Sequence, residues 1–391
     1  MTVTRTNATF PPPVQEARRW LEGVQFPTDR PLINVSQAAP VEPPPEALRA
    51  AMAEALLNAP GAHLYGPTLG LPALRAEVAQ QWRASYGGEI AESEVAITSG
   101  CNQAFAAAIA TLCGEGDEVI LPTPWYFNHK MWLDMSGVRT VALPADAALL
   151  PDPEEARARI TARTRAIVLV TPNNPAGVEY PAELVGAFFD LAQEHELALI
   201  VDETYRDFDS RTGAPHDLFT RHGWQDTLIQ LYSFSKAYRL TGHRIGAIVA
   251  SEARLAEVEK FLDTVTICPS QIGQRGALWG MQNLAQWLAG ERAEILARRA
   301  AIQAAFSPLA AAGWELLGLG AYFAYMAHPF AETSDALARR LVAEQSVLCL
   351  PGTMFRPTND PAAAKELRIA FANVDTTGIK TLFERLERMG A

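Results

Sequence analysis

Residues 166–170 read AIVLV and residues 198–201 read ALIV. Both runs are apolar at every position, where a half-exposed strand would alternate with polar residues. Each is therefore expected to be a strand covered by helices on both faces. Working outward, further short apolar runs lie at 95–98, 118–121, 138–143, 228–232 and 244–250, separated by longer helical patterns. Seven strands alternating with helices predict an α/β fold, doubly wound around a mainly parallel seven-stranded sheet. Past Gly280 the pattern changes. A long helical stretch from Gln282 to about Ala312 is expected to bridge two domains. Strand-like segments at 322–326, 347–350 and 367–371, with helices between them, predict a smaller α+β unit. The first forty residues are assigned to that unit, which gives a large domain over 41–304 and a small domain formed by 1–40 and 305–391.

Composition fits this picture. The 391 residues suffice for two domains or one large one with attachments, and 49% apolar with 20% charged residues describes a compact folded chain rather than a disordered one. Lys and Arg number 33 against 44 Asp and Glu, a net charge of −11, and the pI is about 5.2. That sign argues against nucleic acid as a partner. The four cysteines form no CxxC pair, so neither a zinc site nor any other metal site is expected, and their sparse spacing suits a reducing compartment. There is no signal-like amino terminus and no apolar run of membrane-spanning length, so the expectation is a cytoplasmic protein without a membrane partner. Asn7-Ala8-Thr9 and Asn34-Val35-Ser36 match the glycosylation triplet, here read as coincidence.

Ligands of open α/β sheets sit beyond the carboxyl ends of the strands, so the residues that follow each run carry the chemistry. After 95–98 comes Ser99-Gly100-Cys101-Asn102-Gln103, then the helical AFAAAIATL. A glycine turn into a helix lets free N–H groups face an anion, or is only a tight turn. After 198–201 comes Asp202-Glu203-Thr204-Tyr205. That carboxylate can hold a cation or a protonated ring nitrogen, or cap a helix. After 166–170 comes TPNNPAG, a composition that commonly means a turn. After 228–232 comes Ser233-Phe234-Ser235-Lys236, and of the 33 basic residues only five are lysines. A guanidinium cannot form a Schiff base, so a lysine placed here in an arginine-rich chain suggests amine chemistry, against the plain alternative of a surface loop. Arg244, opening the next run, can reach the same cleft.

An anion cradle, a carboxylate, amide and phenol donors and an amine together suit pyridoxal 5′-phosphate. The motifs HLYGPTLGLPALR, TSGCNQAF, PTPWYFNHK, TPNNPAG, VDETYRDF, SFSKAYRLTGHRIG and LRIAFANV follow one another along nearly the whole chain. On these, the sequence resembles the class I/II aminotransferases of the fold type I pyridoxal-phosphate family. The resemblance implies that Lys236 holds the cofactor aldehyde as a Schiff base and later moves the substrate Cα proton. It implies that Asp202 pairs with the pyridine nitrogen, and that Asn174 and Tyr205 bond the ring's phenolic oxygen. The phosphate would meet the turn at Gly100, the N–H groups of Cys101 and Asn102, the hydroxyls of Ser233 and Ser235, and Arg244. Tyr126 would stack on the ring, with Trp125 as the alternative one residue earlier. Arg368 would grip the substrate α-carboxylate, beside Asn174. Tyr65 would reach the phosphate from a second subunit, which implies a homodimer with shared active sites.

The implied activity is transfer of an amino group from an L-amino acid to a 2-oxo acid such as 2-oxoglutarate or pyruvate, with ping-pong kinetics. Asn102 stands where aspartate-using relatives of one subgroup carry a lysine, so a neutral, apolar or aromatic donor is favoured over aspartate. A β-lyase or a cyclopropane-forming synthase would use the same residues. A noncatalytic ligand-sensing module is the remote alternative.

Overall fold

The computed structural model describes residues 4–390. Its strands are β1 (Ile33–Asn34), β2 (Val95–Thr98), β3 (Glu118–Thr123), β4 (Arg139–Pro144), β5 (Thr164–Val170), β6 (Ala198–Asp202), β7 (Leu228–Ser233), β8 (Gly246–Val249), β9 (Glu315–Gly320), β10 (Phe323–Ala327), β11 (Val347–Leu348), β12 (Leu350–Pro351) and β13 (Glu366–Ala370). The seven strands from β2 to β8 form one sheet in the order β2-β8-β7-β6-β5-β3-β4. All neighbours pair parallel except β8, which runs antiparallel to both β2 and β7. Successive side chains of a strand face opposite sides. Ile97, Leu169 and Val201 accordingly join one apolar cluster, while Ala96, Val168 and Ile200 join another on the opposite face. Both faces are covered, which is why these strands read as unbroken apolar runs.

The antiparallel β8 has a consequence for the site. Its first residues lie at the edge where the parallel strands end, so a residue just before it shares their cleft. The strand begins at Gly246 rather than at Arg244, because Arg244 adopts a left-handed backbone with φ of 54°.

Four of the remaining strands build the smaller sheet, antiparallel in the order β12-β13-β10-β9. Strand β1 pairs parallel with β11, and Ala370 N donates to Val35 O at 2.8 Å, so the amino-terminal segment packs on this unit. Two sequence expectations are corrected here. The stretch from 282 to 312 is not one helix but the end of Gln271–Asn283, then Ala285–Ala305 and Ser307–Ala311. Leu284 leaves helical geometry with ψ of 19°, and Pro308 belongs to the first turn of the last helix, where its ring cannot continue the preceding one. The run at 347–350 splits into β11 and β12 at Cys349. Strand β9 was not anticipated. Its sequence, ELLGLG, carries Gly318 and Gly320 because a Cβ at either would lie 2.3 Å from the carbonyl oxygen of Ala176 or Gly177.

Candidate active site

A cavity of about 460 Å³ opens at the carboxyl edge of the large sheet. It brings together Cys101 and Asn102 after β2, Tyr126 after β3, Asn174 after β5, Asp202 and Tyr205 from the end of β6, Ser233, Ser235 and Lys236 after β7, Arg244 before β8, and Arg368 from β13. Two sheets thus contribute to one wall. Gly100 lies directly behind the lining. Tyr65 does not reach it and is 81% exposed.

The turn after β2 needs its glycine. Gly100 has φ of 88°, and a Cβ there would sit 2.2 Å from Nη2 of Arg244. Gly246, paired across from Thr98, would place a Cβ 2.7 Å from the Cys101 amide nitrogen. Backbone and guanidinium therefore crowd together at the start of the helix Cys101–Leu112, whose first N–H groups precede its own hydrogen-bond ladder. Arg244 Nη1 donates to Thr241 O at 3.0 Å and, weakly, to Ser235 Oγ at 3.4 Å, while Ser233 Oγ caps the next short helix by accepting from Ser235 N. The result is a concave set of donors with positive charge, fitted to an anion.

Lys236 Nζ donates to Ala38 O at 2.6 Å, and no carboxylate pairs with it among the described residues. Burial, then the charges of Arg244 and Arg368, push its pKa down to about 8, so the neutral amine is accessible near physiological pH. Arg368 is 2% exposed and equally without a carboxylate. Its Nη1 donates to Asn174 Oδ1 at 2.9 Å and its Nη2 to Ser36 O, while Nε has no partner. The rings of Phe355, Phe323 and Phe127 lie 4.9, 5.1 and 5.8 Å from its central carbon. An unpaired buried guanidinium costs several kcal/mol, so this one is left with unused capacity for an anion.

Asp202 is the negative counterpart. Burial alone would raise its carboxyl, but the contact with His129 and the side chain and amide of Thr204 outweigh it and hold the group below the ordinary carboxylate range. His129 Nε2 lies 3.2 Å from Asp202 Oδ2, short of hydrogen-bond alignment, and its ring stacks on Phe105 at 3.9 Å. Thr204 N donates to Asp202 Oδ1 at 3.0 Å. Tyr205 makes no hydrogen bond through its hydroxyl among the described residues, and burial raises its pKa well above the usual phenol value, so it stands as a neutral donor. Burial does the same to the Cys101 thiol, helped by Asp202, so it stands as a neutral thiol.

Tyr126 Oη donates to Asn102 Oδ1 at 3.2 Å, with its ring at the cavity. Trp125 packs instead into the apolar cluster around Phe105. Sequence reasoning missed His129, although it follows Tyr126 by three positions on the helix Phe127–Ser136 and so shares a face with it. It also missed the amino-terminal wall, where Pro12, Pro13 and Gln15, with Gln37 and Ala38, close the cavity from the small-sheet side. No local signal marks that wall, since it exists only through the docking of a distant segment.

The family model for aminotransferases of class I and II matches residues 30–386. The chain belongs to that family. Relatives of this aminotransferase include a probable aspartate/prephenate aminotransferase of Thermus aquaticus, 30% identical over 91% of this chain and 90% of that one. An aromatic aminotransferase of Arabidopsis thaliana is 29% identical over 83% and 81%. Among solved structures, a double mutant of the Thermus thermophilus aspartate aminotransferase superposes with a TM-score of 0.89 over 99% of both chains at 26% identity. The enzyme is thus a pyridoxal-phosphate-dependent transaminase that works on amino acids and 2-oxo acids. No helix among its described residues is long and apolar enough to cross a membrane.

Proposed function

We propose that this aminotransferase takes its amino group from a neutral, apolar or aromatic L-amino acid in preference to aspartate, passing it to a 2-oxo acid in two half-reactions with ping-pong kinetics. The observation that carries this reading is the inventory of cations. Lys236, Arg244 and Arg368 are the cationic side chains among the described cavity-lining residues. Amine chemistry, the cofactor phosphate and the substrate α-carboxylate occupy one each. None remains in this chain for a second carboxylate, and Gln15, Gln37, Asn102 and Asn128 at the wall are neutral amides. The same reasoning places pyruvate ahead of 2-oxoglutarate as acceptor.

Pyridoxal phosphate, when bound, supplies an aldehyde that condenses with amines and a ring that withdraws electrons from the substrate Cα. Arg244, Ser233, Ser235 and the N–H groups of Cys101 and Asn102 would hold its phosphate, with Gly100 leaving the room. Asp202, kept ionised by its neighbours, would pair with the pyridine nitrogen, and His129 would position that carboxylate. Tyr126 would pack against the ring. Asn174 and the Tyr205 hydroxyl would be donors for the ring oxygen. Arg368 orients the substrate with a planar fork that matches a carboxylate, steadied by Asn174. Lys236 Nζ, neutral in part near pH 8, would be the amine that holds the cofactor aldehyde and the base placed to take the Cα proton.

We also infer a homodimer in which the partner subunit's Tyr65 completes the phosphate site. Tyr65 belongs to a group of exposed large apolar side chains, with Leu56, Leu57, Leu64, Val265 and Ile267, that a second copy would cover. A donor screen tests the substrate reading, run with pyruvate and 2-oxoglutarate while keto acid and ammonia are both measured. Transfer from aromatic or aliphatic donors to pyruvate is expected. Aspartate as the best donor would refute the preference, and ammonia without amine transfer would identify a lyase.

A further inference from the structure

A second cavity, of about 330 Å³, shares no lining residue with the active site. It lies between the segment 27–30 and the last turns of the carboxyl-terminal helix Thr376–Glu387, and three guanidiniums face it, those of Arg30, Arg385 and Arg388. Arg385 is 5% exposed. Its Nη1 donates to Pro31 O at 2.7 Å, Gln345 O at 3.1 Å and Ser346 O at 3.2 Å, which ties the amino-terminal segment and the turn before β11 to the helix. Its Nε and Nη2 make no bond among the described residues.

Among the described residues none of the three arginines forms an ion pair. Asp29 and Glu384 line the same cavity, yet neither forms an ion pair with them among the described residues. Arg30 Nε is buried without a hydrogen-bond partner among the described residues. The guanidiniums also feel one another: burial first, then the charges of Arg30 and Arg388, lower the pKa of Arg385. A helix carboxyl terminus favours cations, which accounts for Arg385 and Arg388 but not for Arg30, brought there by a segment more than 350 residues earlier.

We propose that this cavity is an oxyanion site for a phosphate group, taken either as free inorganic phosphate or as the phosphoryl group of a small metabolite. A carboxylate matches one guanidinium fork, whereas a tetrahedral dianion offers acceptors to several at once. The two carboxylates restrict the site to one small anion of modest affinity. Binding there clamps the segment 27–30 to the helix. The same segment joins the two amino-terminal stretches of the active-site wall, around Gln15 and Gln37.

The test uses cofactor-loaded enzyme, so that the active-site anion cradle is already filled. Melting temperature is measured against inorganic phosphate in one arm and glycerol phosphate in the other, at constant ionic strength with chloride. A saturable rise in either arm is expected, and the arm that saturates at lower concentration names the source. In the variant carrying Arg30→Gln and Arg388→Gln, the half-saturating concentration should rise about tenfold or more, the value of one lost charge-assisted contact. Without phosphate the variant should melt close to the wild type, since the repulsion it loses offsets the lost attraction to the helix terminus, and its kcat/KM should be unchanged. No saturable rise in either arm, or the same rise in the variant, overturns the proposal.

Discussion

Asp202 and Glu203 are neighbours at the end of one strand, and they face opposite sides of the sheet with opposite consequences. Asp202 looks toward Cys101, His129 and the cavity. Glu203 looks toward Trp82 and Tyr86, where Oε2 accepts from the Tyr86 hydroxyl at 2.7 Å and from Gln230 Nε2 at 2.8 Å, with His216 Nε2 at 3.3 Å. Arg206 completes that far side, its guanidinium stacked over Trp82 at 4.1 Å and Tyr86 at 4.6 Å. Burial would raise the Glu203 carboxyl, but His216 and Arg206 outweigh it and keep the group ionised. On the far side the carboxylate is matched within the protein. On the cavity side two cations, Lys236 and Arg368, have no carboxylate among the described residues, and the Arg368 Nε has no partner among them. Buried charge is left unmatched where a ligand is to supply the match, and it is neutralised where the fold needs only to stand.

The largest effect that tests this contrast is expected from Lys236→Ala. Transamination should fall by about 10³-fold or more, the scale of losing a positioned base together with its covalent role. Cofactor should remain bound noncovalently, seen as absorbance that hydride reduction no longer fixes to the chain. Turnover above a trace would remove Lys236 from the mechanism.

Next comes the pair itself. Asp202→Asn should lower kcat by about 10² to 10³-fold with little change in melting temperature, as expected when a preorganised electrostatic group is lost. Glu203→Gln should do the reverse: kcat is kept within a few-fold, while stability drops by about 1–3 kcal/mol as the buried network loses its charge. If Glu203→Gln damages kcat as much as Asp202→Asn, the division into a functional and a structural carboxylate fails. A smaller change is expected for Arg368→Lys, which keeps the charge but loses the fork. KM for the amino donor should rise about tenfold, more than kcat falls.

The smallest effect is a pH dependence. Burial and two arginines lower the Lys236 pKa from 10.5 to about 8, so its amine loses its proton as pH rises through that value. In cofactor-free enzyme, the rate of aldehyde attachment should climb up to about pH 8 and level off above it. A rate that keeps climbing toward the ordinary lysine range would show that the site does not perturb the amine. For stability the sign follows from proton counting. Between about 8 and 10.5 the unfolded chain holds a proton that the folded one lacks, so raising the pH across that window should stabilise the cofactor-free protein.

Strands β2, β3, β5, β6, β7 and β8 were legible because burial on both faces removes the polar alternation that confuses shorter segments, whereas the edge strand β4 is only partly buried and shows as the short apolar run 141–143. The turns after them were legible because Gly100, Asp202, Lys236 and their neighbours sit within a few residues of those strand ends. His129 escaped notice because nothing in its surroundings distinguishes a histidine that contacts Asp202 from one packed in a core, and the contact spans 73 positions. Strand β9 was hidden by glycines chosen for the close approach of residues 176–177, a contact between distant segments. The break at Leu284 left no mark in an otherwise helical composition.

Sequence by itself determined the layered α/β architecture, the family and the chemical types gathered at the strand ends, because these depend on local periodicity and on residues close to each strand. Tertiary structure decided which charges are matched. It set Arg368 from β13 against Asn174 from the other sheet, turned Trp125 into the core and Tyr126 into the cavity, and brought Arg30 beside Arg385 and Arg388. Whether a buried charge is neutralised depends on groups hundreds of residues away, and only the folded chain brings those within the few ångströms over which such interactions act.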